Sequence, residues 1–403
     1  MNGLYMIIDS IYIFVLTGAL SGIIQNMGAN SLLRIIGPIN ILLYAFMLYR
    51  LCLIKIKIES RCMALIYIFM GSCIISLFSN QNMGAVFQSI LYLFLNVIYA
   101  YYLYCAYKLE DFLHLLFIVL VGINIISSIL SIAIPKIGTY YDSVYHAQVW
   151  RGIFTHKNTL GNASVLLMLI WLINKKSRKN KLLFIGIISA AMNLLLSHSN
   201  TPKYALIVCL AYLAIKKIIN KEWSMLILIG TSLASYIYLF HYSFVERIFN
   251  GYDVSITGRR PIYDIVISLI SKKPVLGYGL GSCWIEGSRT YNSVLKYVGF
   301  NPNASHNGFL ELALNIGVVG LIAYLIMLIA IFAKSYNYYK IGNKNLMVLM
   351  IFIIIMSMFE STLAQVNTIY WIIQMIVLFN VVGDGNKEKS ALENINYGGC
   401  INA

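Results

Sequence analysis

Long apolar runs alternate with short polar breaks along the whole chain. Their lengths approach the ~20 residues that cross a bilayer as a helix. They predict spans near 4–24, 32–49, 63–78, 85–106, 112–134, 154–174, 182–197, 202–219, 223–241, 316–333, 345–364 and 368–382. The expected fold is therefore an all-α polytopic membrane protein of about twelve transmembrane helices, a single integral membrane domain over 1–403. One long interruption, 242–305, lies between the ninth and tenth spans. Connections beyond about 15 residues are usually functional or contain their own elements. The stretch 383–403 reads as a frayed cytoplasmic tail. Met1–Ser10 lacks a basic n-region, so the first run reads as a span rather than a cleaved leader.

Composition excludes a soluble globular protein: 60% of the 403 residues are hydrophobic and 11% charged, against about 25% charged in soluble domains. The net charge of +15 sits in short basic islands between apolar runs rather than on one face, which argues against nucleic acid as the partner. Arg50, Lys55, Lys57 and Arg61 follow the second span, Lys175 to Lys181 the sixth, Lys216, Lys217 and Lys221 the eighth, and Lys334, Lys340 and Lys344 the tenth. By the positive-inside rule these loops and both termini are cytoplasmic, and the alternate loops face outward. Basic residues that break this pattern lie mainly in 134–157 and 242–305, a set that describes a cationic outer vestibule. The seven cysteines show no metal-ligand spacing, so neither zinc nor disulfide chemistry is expected.

Four outward segments carry candidate chemistry. Arg151-Gly-Ile-Phe-Thr-His156-Lys157-Asn158-Thr-Leu-Gly161 offers several donors to an anion where the sixth span begins. Arg151 has the planar fork that suits phosphate, Gly161 permits close backbone approach, and Lys157 has an alternative reading as an interfacial anchor. Ser197-His-Ser199-Asn-Thr-Pro202-Lys203 turns between the seventh and eighth spans. Pro202 there suits a first helical turn, leaving Lys203 to face either a ligand or solvent. After Thr257-Gly-Arg259-Arg260-Pro261, the positions Ile262, Ile265, Val266, Leu269 and Ile270 recur at helical spacing. They predict an amphipathic helix lying on the membrane surface, its N-terminus and two arginines favouring phosphate. Gly277, Gly279 and Gly281 then form an irregular turn without nucleotide-binding context. In Asn303-Ala-Ser305-His306-Asn307-Gly308-Phe-Leu-Glu311, Ser305 reads as the cap of a helix that His306 begins. A ring at that position is favoured in its neutral, proton-accepting form. Glu311 reads either as its orienter or as an ordinary helix-start acid.

RGIFTHKNTLG, LLLSHSNTPK, TGRRPIYDIVISLISKKPVLGYGLGS and SHNGFLELALNIGVVG, in this order on a twelve-span frame, resemble the O-antigen ligase/polymerase superfamily, the Wzy-type polymerases and WaaL-type ligases of bacterial surface polysaccharide assembly. The resemblance covers roughly Arg151 to Leu321, the first half matching in hydropathy alone. A Ser-Arg expected after the span-seven serine is missing, with His198, Asn200 and Lys203 nearby, and Tyr263 stands where the family's Gly-Arg helix has tryptophan. The resemblance implies a GT-C-like, metal-independent, inverting glycosyltransferase with no cofactor. It would act at the periplasmic face of the bacterial inner membrane on a glycan carried by undecaprenyl diphosphate. It implies that Arg151 and Arg259 bind the diphosphate and stabilise its departing charge, and that His306 is the base or orients the acceptor. Lys203 and Arg260 are secondary diphosphate contacts, while Arg289, Asn307 and Tyr263 contact glycan. His156 and Lys157 complete the expected substrate-binding set.

The expected activity is that of a polymerase joining one lipid-linked glycan to another lipid-linked repeat, with a ligase acting on lipid A core as the alternative. The expected partners are the lipid-linked oligosaccharide, the bilayer and a chain-length regulator, with no nucleic acid. A lipid-linked oligosaccharide flippase is the reading from another class. It fits less well, because Asp9, Glu311 and Glu360 fall toward span ends and the two halves show no relationship.

Overall fold

The structure is a computed structural model that describes residues 3–54, 60–79, 82–142, 146–179, 183–218, 259–301, 303–340 and 346–383. Its first half contains helices α1 (Gly3–Leu16), α2 (Ala19–Asn26), α3 (Ile36–Cys52), α4 (Ser60–Ile75), α5 (Met83–Ala106) and α6 (Leu109–Ala133), then strands β1 (Thr139–Asp142) and β2 (Ala147–Trp150). There follow α7 (Lys157–Ile173), α8 (Phe184–Leu196), α9 (Asn200–Ile218), α10 (Arg260–Lys272), α11 (Arg289–Val298), α12 (Gly308–Lys340), α13 (Leu346–Phe359) and α14 (Ile369–Gly383).

Among the described residues, Asn30–Cys52, Arg61–Phe78, Met83–Ala106, Leu109–Ala133 and Gly308–Lys334 are long and apolar enough to cross a membrane. The α1–α2 pair, bent by 60° at a short break, adds one more if it acts as a single span. Helices α7, α8, α9, α13 and α14 are apolar but shorter. These elements occupy the expected runs, except that near 223–241, which lies outside the described residues together with 242–258 of the long loop and 384–403 of the tail.

Neighbouring helices pack as α6 with α7 and α8, α5 with α14, α4 with α12 and α9 with α13. The α6–α7–α8 contact is held by polar side chains that satisfy one another. Ser164 Oγ donates to Asn124 Oδ1 at 2.8 Å, Asn193 Nδ2 to the same oxygen at 3.1 Å, and Ser128 Oγ to Asn193 Oδ1 at 2.9 Å. In hydrocarbon, where apolar burial drives little, such interhelical hydrogen bonds and close packing hold helices together.

Three expectations require correction. The chain is not all-α: β1 and β2 pair antiparallel in register from Thr139↔Trp150 to Asp142↔Ala147. Tyr140, Tyr141, Val149 and Trp150 are strand-prone residues. Gly152 (φ +59°) seats the hairpin on the end of α6, because a Cβ there would lie 2.3 Å from that of Ser127. The apolar stripe of α10 does not rest on a membrane surface. Ile262, Val266 and Leu269 are buried in a separate small core with Cys283, Val294 of α11 and Leu314 of α12. Finally, α12 begins at Gly308, ahead of the expected 316, and is broken at Gly317 (φ 69°, ψ −175°).

The break in α12 explains the glycine-spaced turn. The freed carbonyls of Leu314 and Asn315 accept from Tyr278 N (2.9 Å) and Gly279 N (2.7 Å). In return Val318 N donates to Pro274 O at 2.7 Å and Val319 N to Val275 O at 3.4 Å. The turn is thus a wedge that completes the hydrogen bonding of an interrupted span, a requirement for irregular backbone at membrane depth. It ties α10, with Arg259 at its head, to α12, preceded by His306.

Candidate functional site

Charged groups converge at the end of the bundle where α7, α9, α10 and α12 begin and α8 and α13 end. Their common partner is Glu360, directly after α13. Its Oε1 accepts from Asn158 Nδ2 at 2.6 Å and from Arg259 Nη2 at 3.0 Å, and its Oε2 faces His306 Nδ1 at 3.5 Å. Arg259 Nη1 also donates to the carbonyl of Phe359. Asn158 in turn accepts from Ser199 Oγ at 2.7 Å. Each of the four motif segments is therefore linked to the others through one carboxylate.

Local sequence places each group. His156 is the N-cap of α7, its Nδ1 accepting from Asn158 N at 3.2 Å. Gly161 lets this helix approach the α8–α9 turn: a Cβ there would lie 2.8 Å from the Pro202 ring. The close approach expected of Gly161 is thus to protein. Pro261 lies in the first turn of α10 and leaves Arg259 as its N-cap. Ahead of α12, Asn307 rather than Ser305 caps the helix, its Oδ1 accepting from Phe309 N and Leu310 N, both at 3.0 Å. Asn and Ser are both good caps, and here Ser305 Oγ instead braces the turn by donating to Asn307 O at 2.8 Å. His306 occupies the left-handed region (φ 54°) between them. For a residue other than glycine that strain persists only where the surroundings impose it, and Tyr263 Oη supplies one tie by donating to His306 O at 3.1 Å.

Glu311 does not touch His306. It accepts from Ser305 N at 2.8 Å, Ser361 Oγ at 3.1 Å and the Trp284 indole, fastening the loops around α12. The acid that faces His306 is Glu360, whose side chain is 17% exposed. Burial alone would raise its pKa. The hydrogen bond from His306, the charges of Arg259 and His306 and the Asn158 amide outweigh burial and hold the carboxyl at about 2. His156 has an exposed ring, yet desolvation, aided by Lys157, His306 and Arg259, lowers its pKa against the opposing pull of Glu360. The linker after Glu360 dips into the bundle: Asn367 N donates to Asn96 Oδ1 at 2.7 Å, and Asn96 lies near the middle of α5.

Arg151 joins this neighbourhood through the hairpin. Its Nε donates to Ile137 O at 2.9 Å, and its guanidinium carbon lies 5.8 Å from the centroid of the Tyr140 ring. That ring is 6.0 Å from His156. Among the described residues no contact engages the terminal nitrogens of Arg151. Lys157 is tied at 2.6 Å to Asp142, both side chains being about nine-tenths buried, so this pair clamps the hairpin to α7. Lys203 is half-buried in the first turn of α9, while Arg260 and Arg289 are exposed at the heads of α10 and α11. Tyr263 and Asn307 hold the His306 turn. The structure thus brings His306, Arg259 and His156 together and places Arg151 two ring contacts away, without contacts that draw in Lys203, Arg260 or Arg289.

Residues 159–325 match the family model Wzy_C, described as O-Antigen ligase. This segment of the chain is similar to that family. Among curated proteins, none matches the chain. The O-antigen ligase segment contains Lys203, Arg259, Arg260, Tyr263, Arg289, His306 and Asn307, and ends before Glu360. Arg151, His156, Lys157 and Asn158 precede it. Glu360 and Asn158 were the functional contacts least visible in sequence. The only available signal for Glu360 was an acid closing the apolar run 346–359. The matched segment and the helices long and apolar enough to cross a membrane support a membrane-embedded protein of ligase or polymerase type.

Proposed function

We propose that the chain is a polysaccharide polymerase, which takes a glycan from undecaprenyl diphosphate at the periplasmic face of the inner membrane and joins it to a second lipid-linked repeat. The observation that supports this most directly is the meeting of Asn158, Arg259 and His306 on Glu360, with the Arg151 guanidinium reaching the same end of the bundle through Tyr140 and His156.

Glu360 at its pKa of about 2 is a carboxylate and only accepts, so the His306 Nδ1 facing it carries the proton and Nε2 keeps its lone pair. Nε2 takes the proton of an acceptor sugar hydroxyl as that oxygen attacks the anomeric carbon of the donor. The bond from this carbon to the diphosphate oxygen breaks, and its electron pair leaves with the lipid diphosphate. Attack opposite the leaving group inverts the anomeric centre. Glu360 stabilises the imidazolium that forms, as a carboxylate does behind a histidine base. Arg151, whose terminal N–H groups make no hydrogen bond among the described residues, takes the charge growing on the diphosphate, and Arg259 offers its remaining N–H groups to the same anion. Lys203 and Arg260 add positive charge, while Arg289 reaches the glycan from the head of α11.

The test is product formation by the purified protein in vesicles of bilayer lipid. Lipid-linked repeat alone should yield a ladder of longer glycans. The description of the matched family favours a second reading, a ligase, which would form product only when lipid A core is supplied. Passage of the repeat across the vesicle wall without extension would establish a transporter and overturn both.

A further inference from the structure

We propose that Asn158 is a positioning residue of this site: held by Ser199, its amide fixes the Glu360 carboxylate so that one oxygen remains to face His306. The inference rests on the reading of His306 as the base. Glu360 lies on a linker rather than a helix, and nothing in its own backbone restrains the rotation of its carboxylate. Two donors from separate helices do so by holding Oε1, Asn158 at 2.6 Å and Arg259 at 3.0 Å, which leaves Oε2 for His306. Arg259 alone would permit either oxygen to be presented, since a guanidinium donates through several N–H groups. Asn158 removes that freedom. Its amide has a fixed sense, because the Ser199 hydroxyl, 2.7 Å from Oδ1, donates to it and so turns the NH2 group toward Glu360. Ser199 is itself 1% exposed, so water does not compete for this hydrogen bond.

The groups facing the carboxylate, besides Asn158, are His156 at the head of α7, Arg259 at the head of α10, His306 ahead of α12 and Tyr370 of α14. None of these replaces the directional hold of Asn158. If Asn158 were packing alone, uncharged changes at this position and loss of the Ser199 hydroxyl would leave the tautomer of the His306 ring untouched.

Asn158→Asp keeps the shape and places a second carboxylate against Glu360. The acid limb of the transfer pH profile should then move upward by about one pH unit, with activity recovered in alkaline buffer and KM for the lipid-linked donor unchanged. Asn158→Ala and Ser199→Ala should each lower kcat roughly 10- to 100-fold, the scale for outer-shell partners of a working histidine, again with KM unchanged. A readout that needs no substrate is nitrogen NMR of histidine-labelled protein in nanodiscs, with His306→Gln assigning the signal. Wild-type His306 should carry its proton on Nδ1, and Asn158→Ala should give mixed tautomers. A wild-type profile and tautomer in both Asn158 variants would overturn the inference, as would loss of folded protein in them together with an unchanged tautomer in Ser199→Ala. Wild-type protein that extends no glycan, but whose His306 tautomer responds to Asn158, would refute the enzymatic reading and leave the positioning role standing.

Discussion

Replacement of Gly317 by alanine tests the wedge that joins Arg259 to His306. Gly317 sits at φ 69°, ψ −175°, a region essentially reserved for glycine, and forcing another residue into it costs about 1–3 kcal/mol. The new Cβ would lie 2.1 Å from Val275 O and 2.6 Å from Leu276 N, both backbone atoms that no rotamer change moves aside. Relief requires withdrawing the wedge, which lengthens or breaks the hydrogen bonds of Val318 N to Pro274 O and Val319 N to Val275 O. At about 0.5–1.5 kcal/mol each, the total with the strain is about 2–6 kcal/mol. The assay is reversible SDS unfolding in mixed micelles followed by far-ultraviolet circular dichroism. Gly122→Ala in α6 serves as the control: nothing lies within 4 Å of its added Cβ, and a helical Gly→Ala exchange there should stabilise by about 0.5–1 kcal/mol. Glycan transfer by Gly317→Ala should fall even where the protein remains folded, since the wedge sets the separation of α10 and α12. A Gly317→Ala protein as stable and as active as the control would refute the reasoning.

Glu360 is held at about 2 instead of 4.5, so the unfolded chain binds this proton first. Stability from this group, on the order of 3 kcal/mol, should be complete above pH 4.5 and disappear as pH falls toward 2, and SDS unfolding of Glu360→Gln should lack that acid loss. His156 titrates below its ordinary 6.5 because neighbouring groups desolvate it and add positive charge; its contribution should likewise be present above pH 6.5 and diminish in acid, a trend absent from His156→Gln. Asp142→Ala should destabilise by about 3–5 kcal/mol by stranding the Lys157 ammonium, and Asp142→Ala with Lys157→Met should recover much of the loss in the same unfolding assay. Arg151→Lys retains the charge but removes the fork, so kcat for glycan transfer should drop on the order of 100-fold, while loss of the Nε bond to Ile137 O costs stability only about 1 kcal/mol.

The apolar runs made the helices legible because a bilayer imposes length and composition on every crossing. The four outward segments were legible as candidates because Arg, His and Lys in such places demand a reason. Their convergence on Glu360 was not legible. The carboxylate lies 202 residues from Asn158 and 101 from Arg259 in sequence, and neither periodicity nor spacing encodes a contact made by folding. Glu311 was the nearer acid to His306 along the chain, yet its position in the first turn of α12 directs it to Ser305 N and Trp284. The hairpin escaped notice because two four-residue strands fall between apolar runs long enough to dominate the pattern. The apolar spacing of α10 encodes a helix, but a stripe does not reveal whether lipid or protein covers it; Cys283, Val294 and Leu314 do.

The interruption at Gly317 also has a bearing on how the polypeptide is made. Ribosomes deliver Pro274–Gly279 before Gly308–Lys340, so the strip that saturates Leu314, Asn315, Val318 and Val319 is already synthesised when those groups emerge. A helix released into hydrocarbon with bare carbonyls and amides would be rejected by its surroundings. Insertion of the chain from Gly308 onward thus depends on a segment translated earlier, and transplanting Gly308–Gly383 without Arg259–Gly281 should leave its leading helix unable to settle in a bilayer.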